Sequence, residues 1–163
     1  ETRPCSVSFT HHMPLFTELG LSAPILRAVE KAGYQEPTTI QAQAIPVTLE
    51  GRDVIGASQT GTGKTAAFLI AAYQRLLAST PPDDEKKQPR AFMLAPTREL
   101  AVQIAKDAEL LGSHTGFKVG LAFGGTDYEK QRRTIEDGID LLIGTPGRII
   151  DYYKQGVFKL DKV

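Results

Sequence analysis

Apolar positions along this chain switch between helical spacing and short continuous runs. From Phe16, the residues Leu19, Leu21, Ile25, Leu26 and Val29 recur at mostly helical spacing. They predict a helix capped by Ser22 and ended near Gly33. Pro37-Thr38-Thr39 then breaks and restarts the chain. A short helix is expected through Ile40, Ala44 and Ile45 to Pro46, with another small piece ending at Gly51. Val54 to Ala57 reads as the first strand, and an apolar helix follows to about Leu77. Ala91 to Ala95 is a second strand. Pro96-Thr97 opens a helix whose apolar side holds Leu100, Ile104, Ala108 and Leu111. Val119 to Phe123 is the next strand, followed by Gly124-Gly125 and a charged helix from about Tyr128 to Glu136. Asp140 to Ile143 is a further strand, and Ile149 to Lys154 a last helix. Residues 79–90 are polar and proline-rich, as a surface loop would be. Residues 1–13 show no periodicity and read as a flexible leader or an expression remnant, leaving 14–163 as the folded unit.

From residue 53 onward strand and helix alternate. Continuous apolar strands of this kind argue for an α/β fold, a parallel sheet flanked by helices on both faces. Ligands bind such sheets beyond the carboxyl ends of the strands. Four unusual turns follow those ends: 58–65, 96–99, 124–126 and 144–148. They are expected to share one edge of the sheet.

The most specific of the four is Ser58-Gln59-Thr60-Gly61-Thr62-Gly63-Lys64-Thr65. A Gly-rich loop between a strand and a helix gathers backbone N–H groups and a helix N-terminus at one spot, which attracts phosphate. Gly61 and Gly63 permit backbone angles and close approach that a Cβ would obstruct. Lys64 is placed to reach the β- and γ-phosphates, and the Thr65 hydroxyl to hold Mg²⁺. Ser58 stands where the general pattern has Gly.

Composition narrows the classes. The 163 residues suit one domain, and 19 Lys and Arg balance 19 Asp and Glu, so nucleic-acid affinity must come from local sites. The single cysteine, Cys5, rules out an internal disulfide framework and fits a reducing compartment. His11, His12 and His114 offer no metal spacing. No apolar run approaches a membrane span and no secretory leader is present, which points to the cytoplasm with no membrane partner.

Taken singly, the other turns are weaker. Pro96-Thr97-Arg98-Glu99 alone is a capped helix start, Gly124-Gly125 a turn, and Thr145-Pro146-Gly147-Arg148 a strand-to-helix reversal. Each nevertheless puts backbone N–H groups at a helix start on the inferred ligand edge, two of them beside an Arg, which suits nucleic-acid phosphates. Upstream, the Gln41 amide matches the N6/N7 edge of adenine, and Tyr34 could stack on a purine.

Together these motifs resemble the DEAD-box family of ATP-dependent RNA helicases, across nearly all of residues 16–163. Phe16 lies 25 residues before Gln41, the spacing of the family's isolated upstream aromatic. Tyr34 to Gln41 looks like the Q motif, which reads adenine. Residues 58–65 look like motif I, where the family usually has a small residue at Ser58. Pro96 to Leu100 is similar to motif Ia, Gly124-Gly125 to the GG motif, and Thr145 to Arg148 to motif Ib. The resemblance implies a RecA-like fold of the P-loop NTPases, ATP/ADP and Mg²⁺ as cofactors, and residues 96–99, 124–125 and 145–148 on single-stranded or short duplex RNA. It also implies a second RecA-like domain and RNA-decay or ribosome-assembly proteins as partners. Glu99 to Ile104 and Arg148 to Gln155 look nearest to bacterial RhlB-type helicases.

No Asp-Glu-Ala-Asp occurs in the chain. In the family that strand begins within a few residues of Val163, so the chain is expected to be an amino-terminal part, incomplete at its carboxyl end. With an incomplete Mg²⁺ site at Thr65, it is expected to be inactive by itself. Two other classes stay open: a nucleotide- or RNA-binding module without catalysis, and a P-loop NTPase of another family such as a DNA translocase.

Overall fold

The computed structural model describes residues 13–79 and 88–163. The leader expected at 1–13, with Cys5, His11 and His12, lies outside the described residues apart from Met13, as does most of the surface loop expected at 79–90. A single 3-10 turn, Phe16–Glu18, precedes α1 (Ala23–Lys31) and α2 (Thr39–Leu49). There follow α3 (Lys64–Ala78), β1 (Ala91–Leu94), α4 (Arg98–Leu111), β2 (Val119–Ala122), α5 (Tyr128–Glu136), β3 (Leu141–Gly144) and α6 (Pro146–Lys154).

The three strands form a parallel sheet in the order β1-β3-β2. Central β3 pairs Leu141 with both Ala91 and Val119, and Gly144 with both Leu94 and Ala122. Each strand is short and apolar because side chains on both faces enter a core. Leu141 and Ile143 point into a cluster with α1, α2, α3 and α4. Leu142 points the other way, against Ile135 of α5 and Ile149 and Tyr152 of α6. The fold is therefore parallel α/β, with helices on both faces.

Polar groups pin the larger layer. Tyr73, fully buried on α3, donates its hydroxyl to the Ala108 carbonyl at 2.7 Å and stacks on Phe117 at 6.0 Å. Burial pushes this phenol well above its ordinary pKa, so it stays a donor. At the amino ends of β1 and β3, Asp140 accepts from the Lys118 N–H at 2.9 Å and lies 3.9 Å from the Arg90 guanidinium. Both side chains are almost fully buried. Arg90 also donates to the Leu76 and Ser79 carbonyls at 3.0 Å each, tying the sheet to the end of α3.

Several expectations are corrected. Val54 to Ala57 is not a strand: the segment is in no ladder, and Ile55 is 99% exposed. A strand exists through its hydrogen-bonded neighbours, and among the described residues none lies beside this run. The two pieces expected between Ile40 and Gly51 are one helix, α2, which passes through Pro46. Proline in a helix interior costs about 3 kcal/mol; buried Ala44 and Ile45 in α2, which packs on α3, offset it. Ser22 precedes α1, but its side chain makes no capping bond; Ile25 and Leu26 donate to its carbonyl instead. Ala95, Phe123 and Asp140 fall just outside their strands, and α6 starts at Pro146, three residues early.

Candidate nucleotide and nucleic-acid site

Three of the four expected turns, 96–99, 124–126 and 144–148, follow the carboxyl ends of paired parallel strands, which sets them on one edge. The fourth is anchored differently. Thr65, at the start of α3, lines one cleft with Leu94 at the end of β1, while Arg75 and Leu76 line another with Arg90 and Ala91. Helix α3 thus runs antiparallel to β1 and brings residues 58–65 to the same edge.

The loop holds its shape through internal polar contacts. Gly61 and Gly63 have φ of 80° and 88°, the left-handed region that glycine enters without steric cost. Ser58 and Thr62 hydroxyls lie 2.6 Å apart, and Thr62 donates to the Gln59 carbonyl at 2.9 Å. The Lys64 ammonium folds back onto the loop, donating to the Ser58 carbonyl, to Ser58 Oγ at 3.1 Å and to the Gln59 carbonyl at 2.6 Å. These oxygens crowd a cation at the mouth of a 15-residue helix whose first N–H groups have no carbonyl of their own. Phosphate oxygens would be better partners for the same ammonium, because they carry charge. Ser58 takes part through its hydroxyl, a contact a glycine there would lack.

Gln41 is 3% exposed and bonds to the protein on both sides of its amide. Oε1 accepts from the Thr38 N–H at 2.9 Å, and Nε2 donates to the Gly63 carbonyl at 3.2 Å. Thr38 Oγ1 donates to the Thr62 carbonyl at 2.8 Å. The start of α2 therefore clamps the phosphate loop. A Cβ on Gly63 would sit 2.5 Å from Gln41 Nε2, so this approach requires glycine. Phe16 is buried, with its ring stacked on Tyr34 at 6.5 Å, and both line a cleft with Gly33 and Gln35. Burial, with the nearby Asp107 carboxylate, raises the Tyr34 pKa, so its hydroxyl stays protonated.

The remaining turns form a second group. Thr97 accepts from the Leu100 N–H at 3.3 Å, and exposed Pro96, Arg98 and Glu99 surround that helix start. The Arg98 guanidinium lies 5.3 Å from the Phe123 ring centre, and a Cβ on Gly125 would meet Arg98 Nη1 at 3.1 Å. Gly124 and Gly125 are exposed beside it, and Gly125 has φ of 82°. Thr145 and exposed Pro146 and Gly147 open α6. Arg148 is held over the rings of Tyr128 and Tyr152 at 4.7 and 5.4 Å. Sequence reasoning missed Thr38, Tyr128, Gln131 and Tyr152. Their polar contacts join segments far apart in the chain, and only Gln131, a neutral polar residue in a charged helix, offered a signal.

Among the described residues no group of three His, Cys, Asp or Glu side chains could hold a metal ion. Thr65 follows Lys64 directly in the chain, and no described helix is long and apolar enough to cross a membrane.

The chain is similar to the ATP-dependent RNA helicase RhlB of Pasteurella multocida, with 54% identity over 148 residues, 91% of this chain and 35% of that protein. RhlB of Shewanella denitrificans is 52% identical over 149 residues, 91% of this chain and 34% of that protein. The chain thus spans about a third of the length of the curated relatives it matches. In structure it resembles a DEAD box protein from the hyperthermophile Methanococcus jannaschii, with a TM-score of 0.79 and 34% identity, covering 91% of this chain and 39% of that one. The DEAD/DEAH box helicase model matches residues 38–163, from the clamp at Thr38 through every turn of the ligand edge, and the chain belongs to that family.

Proposed function

We propose that this chain is the nucleotide-binding part of an ATP-dependent RNA helicase, an RNA-dependent ATPase that unwinds or remodels short RNA duplexes. One observation carries the reading. A glycine-rich loop holds the Lys64 ammonium at the amino end of α3, on the same sheet edge as three turns that present backbone N–H groups, two of them with an Arg. The loop grips triphosphate through backbone N–H groups and Lys64, while Phe16, Tyr34 and Gln41 select adenine. Gln41 keeps a second amide hydrogen and a second lone pair for the base beside its bonds to Gly63 and Thr38, which couples adenine recognition to the loop. Mg²⁺ takes most of its oxygens from water and phosphate, so Thr65 fits as one protein ligand. Bound there, the ion would neutralise phosphate charge.

On the second group, Pro96 to Glu99, Gly124, Gly125 and Thr145 to Arg148 hold the sugar-phosphate backbone without reading bases. A second RecA-like domain closes over both groups, RNA-decay or ribosome-assembly proteins are its partners, and the protein works in the cytoplasm. Lys64→Ala in the full-length gene product should lower RNA-stimulated ATP hydrolysis at least about a hundredfold. Unchanged turnover would refute the assignment.

The absence of a carboxylate cluster beside Thr65 among the described residues favours a second reading for these 163 residues in isolation: a nucleotide- or RNA-binding module without catalysis. Calorimetry with ADP beside a turnover assay on the same chain separates the two. Steady RNA-stimulated turnover would eliminate the module.

A further inference from the structure

The glycine turn at 124–126 and the Arg148-bearing turn at the start of α6 are wired together by one side chain that makes no hydrogen bond to residues 58–65. Gln131 sits in the first half of α5, partly buried. Its Oε1 accepts from the Phe123 N–H at 3.1 Å, at the entry to Gly124-Gly125, and from Arg148 Nη1 at 3.3 Å. Its Nε2 donates to Thr126 Oγ1, at the exit of the same turn, and Thr126 Oγ1 donates to the Phe123 carbonyl at 3.3 Å. One amide therefore brackets the glycine turn and holds an arginine from α6.

The orientation of that amide follows from its partners. Two N–H donors converge on one end, so the oxygen must lie there, and a hydroxyl waits at the other. Arg148 has further supports: Tyr152 OH accepts from Nη1 at 3.3 Å and donates to the Tyr128 carbonyl at 2.7 Å. The aromatic pair fixes the guanidinium plane, and Gln131 links it to the turn. Arg98 joins from the other side through Phe123, whose N–H Gln131 holds.

We infer that Gln131 is a positioning residue for RNA: it sets Arg148 and the 124–126 turn at one spacing, so that successive phosphates meet them together. The inference rests on the reading of these turns as the backbone grip. A glutamine suits the place because it supplies acceptor and donor without charge. Glutamate would hold Arg148 but add a negative charge beside the phosphates.

The test uses the full-length gene product and a fluorescent oligo-uridylate. Gln131→Leu should weaken RNA binding about tenfold, the effect of losing several hydrogen bonds that order the site. ADP affinity, measured by calorimetry, should stay within about twofold, because residues 58–65 share no contact with Gln131. In an Arg148→Ala background the same change should cost less than about fivefold, since part of its effect runs through the bond the two share. Undiminished RNA affinity in Gln131→Leu, with Arg148→Ala impaired, overturns the positioning role and leaves the grip standing. Parallel loss of ADP affinity also overturns it, marking Gln131 as a general structural prop. If Arg98→Ala and Arg148→Ala both bind RNA normally, the grip itself is wrong and the inference falls with it.

Discussion

Gly63 concentrates the chemistry of the phosphate loop in one missing atom. Its φ of 88° and the 2.5 Å gap between a virtual Cβ and Gln41 Nε2 are separate obstacles to any side chain. Gly63→Ala should therefore cost about 1–3 kcal/mol of stability from the left-handed backbone alone. Expelling Gln41 should also lower ADP affinity about tenfold. Urea unfolding and calorimetry measure the two effects; ADP affinity equal to the parent's would show that the clamp from α2 is idle. The need for glycine at 61 and 63 was legible in the sequence, because a loop before Lys-Thr has few other ways to turn. What held Gly63 was not. Gln41 and Thr38 lie more than twenty residues away, and their bonds to Gly63 and Thr62 exist only once α2 lies beside the loop.

At the scale of elements, among the described residues, periodicity located every α-helix except α2, which it split at Pro46, and three of the four expected strands. The charged helix at 128–136 has the expected bounds, since Asp127 caps it by accepting from the Lys130 N–H and Gly138 lies beyond its end. Val54 to Ala57 failed for a reason intrinsic to sheets. Apolar composition makes a run suitable for a strand, but the ladder needs a neighbour, and β1 instead turns its outer side to Phe68 and the apolar cleft of α3. A polar brace holds the opposite end of the sheet. Asp140→Ala would leave the Arg90 guanidinium buried without its counter-charge. A loss of about 3 kcal/mol in denaturant unfolding is expected; one below about 1 kcal/mol would mean that the carbonyls of Leu76 and Ser79 suffice for Arg90.

Over the whole molecule charge is balanced, 19 against 19, so no general field draws RNA to the surface. On the proposed reading, affinity comes from a few contacts, Arg98 and Arg148 among them. Each phosphate contact on single strands contributes about 0.7 to the slope of log affinity against log salt. Removing Arg148 should flatten that slope by about 0.7, measured by anisotropy across a salt series. An unchanged slope would mean that Arg148 serves the fold alone, through Tyr128, Tyr152 and Gln131.

Local chemistry, read from sequence alone, determined the alternation of strand and helix, the phosphate loop and the candidate turns. Each of these depends on neighbours within a few residues: glycines that permit a turn, a cap that opens a helix, apolar runs long enough to be buried. Tertiary structure decided the rest. It made one helix of 39–49 despite Pro46, left Val54 to Ala57 without a ladder, gave the Gln41 amide to the phosphate loop and made Gln131 the link between the glycine turn and Arg148. Those outcomes turn on which side chains meet across the fold, and hydrogen bonds between distant residues leave no period in the chain.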